Sequence, residues 1–186
     1  LDAFILGYFC GVQTNNSKAT YEQLLLHKLV TQRVQLATES IFFKKHLREW
    51  SSLVIDEHIH RIYQEVQHEI DCTQCGNCCK NLEPGLDENE VPMLADATQM
   101  ELMDFKSKYV AFDGVAYFLK TKPCMFLAEC KCTIYNNRPA ACAGFPHLDG
   151  KDMKYKRSLW ENYLVCPIVY LVVERLKQLT NFVHDR

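Results

Sequence analysis

Cys72-Thr73-Gln74-Cys75-Gly76-Asn77-Cys78-Cys79 puts four thiols into eight residues, a density that neither packing nor chance explains. The spacing is that of a soft-metal site. A CxxC turn lets two thiolates reach one ion while the backbone stays in a tight loop, and the pairs Cys72/Cys75 and Cys75/Cys78 both have it. Gly76 supplies the backbone freedom that such a knuckle needs. Three ligands at this spacing also suit an iron–sulfur cluster. Consecutive residues send their side chains in different directions, so Cys78 and Cys79 are expected to serve different metal atoms, either two ions or two irons of one cluster. Four thiols so tightly spaced rarely close a strain-free tetrahedron alone. The remaining ligands are sought among Cys124, Cys130, Cys132, Cys142 and Cys166, several of which read equally well as small buried hydrophobes. Cys10, in an apolar stretch far from the cluster, takes that second reading.

Working outward, the chain before the thiols has helical periodicity. From Ala19 to about His46 no Gly or Pro interrupts it, and Val30, Val34, Ala37 and Ile41 recur every three or four residues, predicting one long helix with that face buried. Ser51 or Ser52 can cap a second helix running to Ile70, whose stripe is Ile55, Ile59, Ile62, Val66 and Ile70. Together they make a helical hairpin. After the thiols, Asp87 to Ala95 and Thr98 to Val110 predict two short helices, and Tyr117 to Thr121 is expected to pair with Cys132 to Tyr135 as a small hairpin. Pro139 can start a helical turn through Ala143, ended by Gly144 and Pro146. From Ser158 the chain is helical again, with a break at Cys166-Pro167 and a stripe of Ile168, Leu171, Val172, Arg175, Leu176 and Leu179 in an amphipathic terminal helix.

The expected class is mainly α with a small β-hairpin, a helical scaffold around a cysteine-rich metal-binding core. The expected organisation is an apolar and polar extension over 1–20, then one domain over 21–186. That domain comprises a helical hairpin (21–70), the cysteine-rich core (71–167) and a C-terminal helix (168–183).

The 186 residues suffice for one domain with a real core, so cysteine is not needed as a staple. Ten Cys could form five disulfides, but the crowding at Cys72 to Cys79 makes orderly pairing awkward. Reduced, metal-bound thiols in a cytoplasmic protein are the preferred reading. A formal net charge of −2 offers no field for polyanions, so nucleic acid is not an expected partner. No apolar run approaches the roughly 20 residues needed to cross a bilayer, and no membrane association is expected. Leu1 to Val12 lacks a basic leader and a small-residue cleavage pattern, and reads as an extension.

Composite motifs then carry a resemblance. Cys72-x-x-Cys75-Gly-Asn-Cys78-Cys79, Pro123-Cys124-x-Phe126-Leu127, Cys132-Thr-Ile-Tyr135-x-x-Arg138-Pro139-x-x-Cys142-x-x-Phe145-Pro146 and Cys166-Pro167 follow one another in order. From about Asp71 to Pro167 this resembles the YkgJ-type CxxCxxCC family of zinc- or iron-chelating proteins. The resemblance implies Cys72, Cys75, Cys78, Cys79, Cys124, Cys132, Cys142 and Cys166 as metal ligands, with Cys130 and Cys10 extra. The family usually has Arg directly after the position of Cys142, where this chain has Ala143. The implied activity is metal binding, with zinc or an iron–sulfur centre as cofactor, and catalysis is left open. Flagellin lysine N-methylases resemble the same cysteine-rich region, which would imply a methyl donor and a protein lysine substrate, yet no donor-binding loop is recognisable. A zinc-stabilised module for a protein partner is the third alternative.

Other patterns carry less. Arg138 could donate to a metal-bound sulfur or a loop carbonyl, or bridge to an acid. Tyr135 is divided between packing and a hydrogen bond to the site, and His147 is a lesser non-thiol ligand candidate. Glu57, His58, His60, Glu65, His68 and Glu69 lack the Glu-x-x-His offset of a dinuclear carboxylate site. They read as a solvated face, with Glu57 and Arg61 as an i,i+4 pair. Lys151 to Arg157 is rich in Lys and Arg but interleaved with Asp, and reads as a solvated loop rather than a seat for an acidic partner. No phosphate-binding Gly-rich loop and no G-x-S-x-G elbow occurs.

Overall fold

The computed structural model describes residues 21–184. The 1–20 extension and Cys10 lie outside the described residues. The chain divides into two units, one formed by residues up to Cys75 together with those from Pro146 onward, the other by Gly76–Phe145.

In the first unit, Ser52–Val66 (α3) is central. Ile55, Ile59, Ile62 and Val66 are all essentially inaccessible, and Ile70 is buried just past the helix end, so the stripe read from the sequence is the core face. Its main neighbour is Pro167–Leu179 (here α10), which starts with Pro at the first turn, where a missing N–H costs nothing. Its first two turns are buried on all sides, and the expected amphipathic character shows only from Glu174 onward. Every residue from Pro167 to Val173 is buried, while Leu179, assigned to the apolar stripe, is largely exposed. A helix buried on all sides needs apolar residues on all sides, and Pro167-Ile-Val-Tyr-Leu-Val-Val173 supplies them.

The long first helix is two helices, Tyr21–Thr31 (α1) and Arg33–His46 (α2), parted at Gln32. The predicted face is also wrong. Val30, Val34 and Ile41 are 41%, 80% and 65% exposed, whereas Leu25, Leu26, Leu29, Leu36 and Phe43 are buried. Both sets have helical spacing, and the larger Leu and Phe side chains remove more apolar area from water.

Lys151 to Arg157 is only in part the solvated loop expected, since Met153 and Lys154 are buried while its other five residues are exposed. The buried Asp56 carboxylate on α3 accepts the Asp152 and Met153 amides at 2.7 and 2.8 Å. The buried Lys154 ammonium donates to the carbonyls of Leu47 and Trp50 at the end of α2. The Trp160 indole N–H, on the helix Arg157–Tyr163 (α9), donates to the Lys154 carbonyl at 3.0 Å. Arg61 pairs with Glu65 at 3.7 Å rather than with the expected Glu57, and Arg175 closes on Glu69 at 2.6 Å. A buried polar knot completes this unit: the Lys177 ammonium donates to the Tyr163 hydroxyl (2.8 Å) and Glu174 (2.7 Å), and faces Glu39 at 3.1 Å.

The second unit is built from short elements. Asn77–Asn81 (α5) leads to Gly85–Leu86 (β1), Glu90–Ala97 (α6), Leu102–Tyr109 (α7), Val110–Phe112 (β2) and Tyr117–Leu119 (β3). Then come Leu127–Ala128 (β4), Lys131–Cys132 (β5) and Ala140–Ala143 (α8). The expected pairing of the 117–121 and 132–135 segments does not form. Instead β3 lies between β1 and β2 in an antiparallel sheet, and β4 pairs with β5 so that Leu127 faces Cys132. β2 with β3 and β4 with β5 close through short turns, which cost less entropy than long loops, whereas β1 joins β3 from a distant part of the chain. Leu86, Val91, Leu94, Ala95, Phe105, Val110, Leu119 and Phe126 form the core, and Cys124 and Cys132 pack partly buried against it. Glu90 ties the layers, accepting the Asp87 amide at 2.8 Å through one carboxylate oxygen and the Ala140 amide at 2.7 Å through the other. The protein is mainly α, with small antiparallel strand pairs.

Candidate metal centre

In the second unit, Gly76 takes a left-handed φ of 58° at the head of α5, a conformation that would strain most other residues. From that helix Cys78 and Cys79 place their Sγ atoms 3.9 Å apart. Sulfurs about 2.3 Å from one zinc ion in a tetrahedron stand roughly 3.8 Å from each other, so adjacency alone does not force these two onto different metals. The Cys78 thiol hydrogen bond is the chief cause that lowers the Cys79 pKa to about 7.

The loop carrying Cys124 is joined to this helix by the Cys124 amide, which donates to the Cys79 carbonyl at 2.7 Å. Cys132 arrives on β5 and Cys142 on α8. Burial raises the Cys124 thiol pKa, with the Cys79 and Cys132 thiols adding to it. Burial likewise pushes Cys142 up to about 12, helped by Cys79, Cys124 and Cys132 and opposed by the Arg138 charge. Cys79, Cys124, Cys132 and Cys142 therefore sit in one another's electrostatic field, although they come from four different elements.

The first unit has its own thiols. The single helical turn Cys72–Cys75 (α4) carries both cysteines of the first CxxC, Cys72 exposed and Cys75 buried. Cys166 is buried at the head of α10. Its thiol is pushed up to about 12 by burial, against the Val169 and Ile168 amides, with Cys75 and Cys72 adding to the rise. Tyr63, on α3, belongs to the same neighbourhood: burial raises its phenol, followed by Asp149, Cys166 and Cys72. Sequence reading missed Tyr63, whose only signal is its place beside the Ile62 of the buried stripe.

None of the eight candidate ligands forms a disulfide, while Cys130 is set apart by being disulfide-bonded. Among the described residues no three His, Cys, Asp or Glu side chains already close around one ion position. The fit to a metal therefore rests on the donor set, which is all sulfur, reduced and clustered, and so suits zinc or iron–sulfur chemistry.

Arg138 turns out to serve a loop carbonyl, donating to the Tyr135 C=O at 3.2 Å while its guanidinium lies 3.8 Å over the Tyr135 ring. Tyr135 is exposed rather than core. His147 is exposed too, at a positive φ of 56°. On the suspected carboxylate-histidine face, His60 faces the Gly150 carbonyl at 3.0 Å.

The family model CxxCxxCC, "Putative zinc- or iron-chelating domain", matches residues 71–165. Cys166 lies just beyond that match, and its link to the other thiols is its place beside Cys75 and Cys72. Neither the curated proteins nor the solved structures contain a match. With its thiol motifs in order and more than half of its 186 residues matched, the chain belongs to the CxxCxxCC family of zinc- or iron-chelating domains.

Proposed function

We propose that this protein holds zinc or an iron–sulfur centre through two groups of thiolates, Cys72, Cys75 and Cys166 in the first unit and Cys78, Cys79, Cys124, Cys132 and Cys142 in the second. The observation that carries this reading is the mutual field of Cys79, Cys124, Cys132 and Cys142. Burial and the neighbouring thiols raise the cost of ionising Cys124 and Cys142, and a cation bound among them removes that cost. Thiolate-only zinc would be a closed structural site, whereas a cluster would carry electrons. Eight cysteines outside any disulfide suit a reducing compartment such as the cytoplasm, and the disulfide at Cys130 is the one feature that opposes it. No helix among the described residues is long and apolar enough to cross a membrane.

Anaerobic purification followed by elemental analysis and a visible spectrum tests the reading. Brown protein with iron and acid-labile sulfide assigns a cluster, and colourless protein with stoichiometric zinc assigns a structural zinc site. Protein carrying neither metal after reconstitution with each would overturn the proposal.

A further inference from the structure

The first unit contains a cleft of about 580 Å³ that has no part in the thiol chemistry. One wall is the α2 face of Ala37, Ile41, Lys44 and, just beyond, Arg48; the other runs from Lys154 through Arg157 and Trp160 to Leu164. The walls are antiparallel. Arg33 at the start of α2 donates to the Leu164 carbonyl at 3.2 Å, Lys44 lies 4.9 Å over the Trp160 ring, and Lys154 reaches the Leu47 carbonyl at 3.0 Å.

Both walls therefore change character in the same direction. Ala37, Ile41 and Leu164 make an apolar end, and Lys44, Arg48, Lys154 and Arg157 make a basic one. Glu161 is the one acid among these lining residues, and Arg157 holds it at 2.6 Å.

Lys154 is the telling residue. Its side chain lies at the wall with only 6% of the residue exposed, and its two hydrogen-bond acceptors are carbonyls, not carboxylates. Its further contact is the Tyr155 ring, 4.9 Å from the ammonium, and among the described residues no carboxylate pairs with it. Buried charges are ordinarily neutralised by a partner. At the opposite end Ile41 is 65% exposed, an apolar cost that a bound body would remove.

We infer that this cleft binds a small anionic amphiphile, a carboxylate or phosphate head at Lys44, Arg48 and Lys154 with an aliphatic or aromatic body along Ile41, Trp160 and Leu164. The volume suits such a ligand.

The test uses the full chain carrying Trp50→Phe, which leaves Trp160 as the only indole. Octanoate and octyl phosphate should change Trp160 emission saturably, while octanol and inorganic phosphate, each lacking one half of the ligand, should bind about tenfold more weakly or worse. Lys44→Glu and Arg48→Glu, both exposed changes, should weaken octyl phosphate about tenfold each. Lys154→Gln is the stronger variant where it folds. Equal binding of octanol, indifference to both charge reversals, or no saturable response would overturn the assignment. Response only to a Glu- and Leu-rich peptide would overturn it in favour of a protein partner. Self-association abolished by Arg48→Glu would overturn it in favour of a second copy of the chain.

Discussion

The Cys124 amide donates to the Cys79 carbonyl at 2.7 Å, so one backbone hydrogen bond sets the distance between a thiol of the CxxCxxCC run and a thiol 45 positions later in the chain. A side chain aimed from a fixed backbone needs little rearrangement to become a ligand. The other contributors are placed in the same way, Cys132 by strand pairing with Leu127 and Cys142 by the helical turn after Pro139.

A thiol group in each unit, as proposed above, predicts partial losses. Cys79→Ser and Cys166→Ser should each lower bound metal, measured by elemental analysis per protein, and the double variant should lose more than either. Complete loss in each single variant would show one shared centre instead.

Removing the metal should loosen the second unit first. Its strands are two or three residues long, and short pairings need support from outside the ladder. After chelation, hydrogen exchange should quicken across Gly76–Phe145 while the amides of α3 stay protected.

The buried stripe and the exposed one should respond differently to truncation. Ile59→Ala should cost about 2–5 kcal/mol through lost burial and the cavity left behind, whereas Val34→Ala should stay within about 0.5 kcal/mol. Urea unfolding midpoints read both, and similar values would contradict the face assignment of α2.

Asp56→Ala should strand the amides of Asp152 and Met153. Each unsatisfied donor costs about 1–3 kcal/mol where water cannot replace the carboxylate, and proteolysis should begin to cut near Lys151. Unchanged stability and cutting would show that this anchor is dispensable.

Tyr163 predicts an alkaline transition. Burial, then the Glu174 charge, raises its pKa above the usual value of 10.0. The folded state therefore keeps a proton that the unfolded state gives up, so this contribution is intact below about pH 10 and is lost as pH rises further. Tyr163→Phe should give a flatter fall of urea midpoint across that range, and an equal slope would remove Tyr163 as the source.

Much of the fold was legible. The Ile55 to Ile70 stripe and the Pro167 helix start follow from side-chain periodicity and proline geometry, which act within a few residues. The register of α2 was not, because Val34, Ile41 and Leu36, Phe43 both keep helical spacing and only the neighbouring helices select a face. Strand pairing failed for a similar reason: which short strand meets which is a matter of closure between segments, not of any one segment's composition.

The sequence by itself determined the donor chemistry: a soft-metal motif, seven thiols within the matched family region with Cys166 just past it, and Gly76 directly after Cys75. Only the tertiary structure decided the grouping, placing Cys72 and Cys75 near Cys166 and setting Cys79 among Cys124, Cys132 and Cys142. Ligand identity is written residue by residue, but ligand proximity depends on backbone hydrogen bonds and burial between distant segments, which spacing along the CxxCxxCC run does not encode.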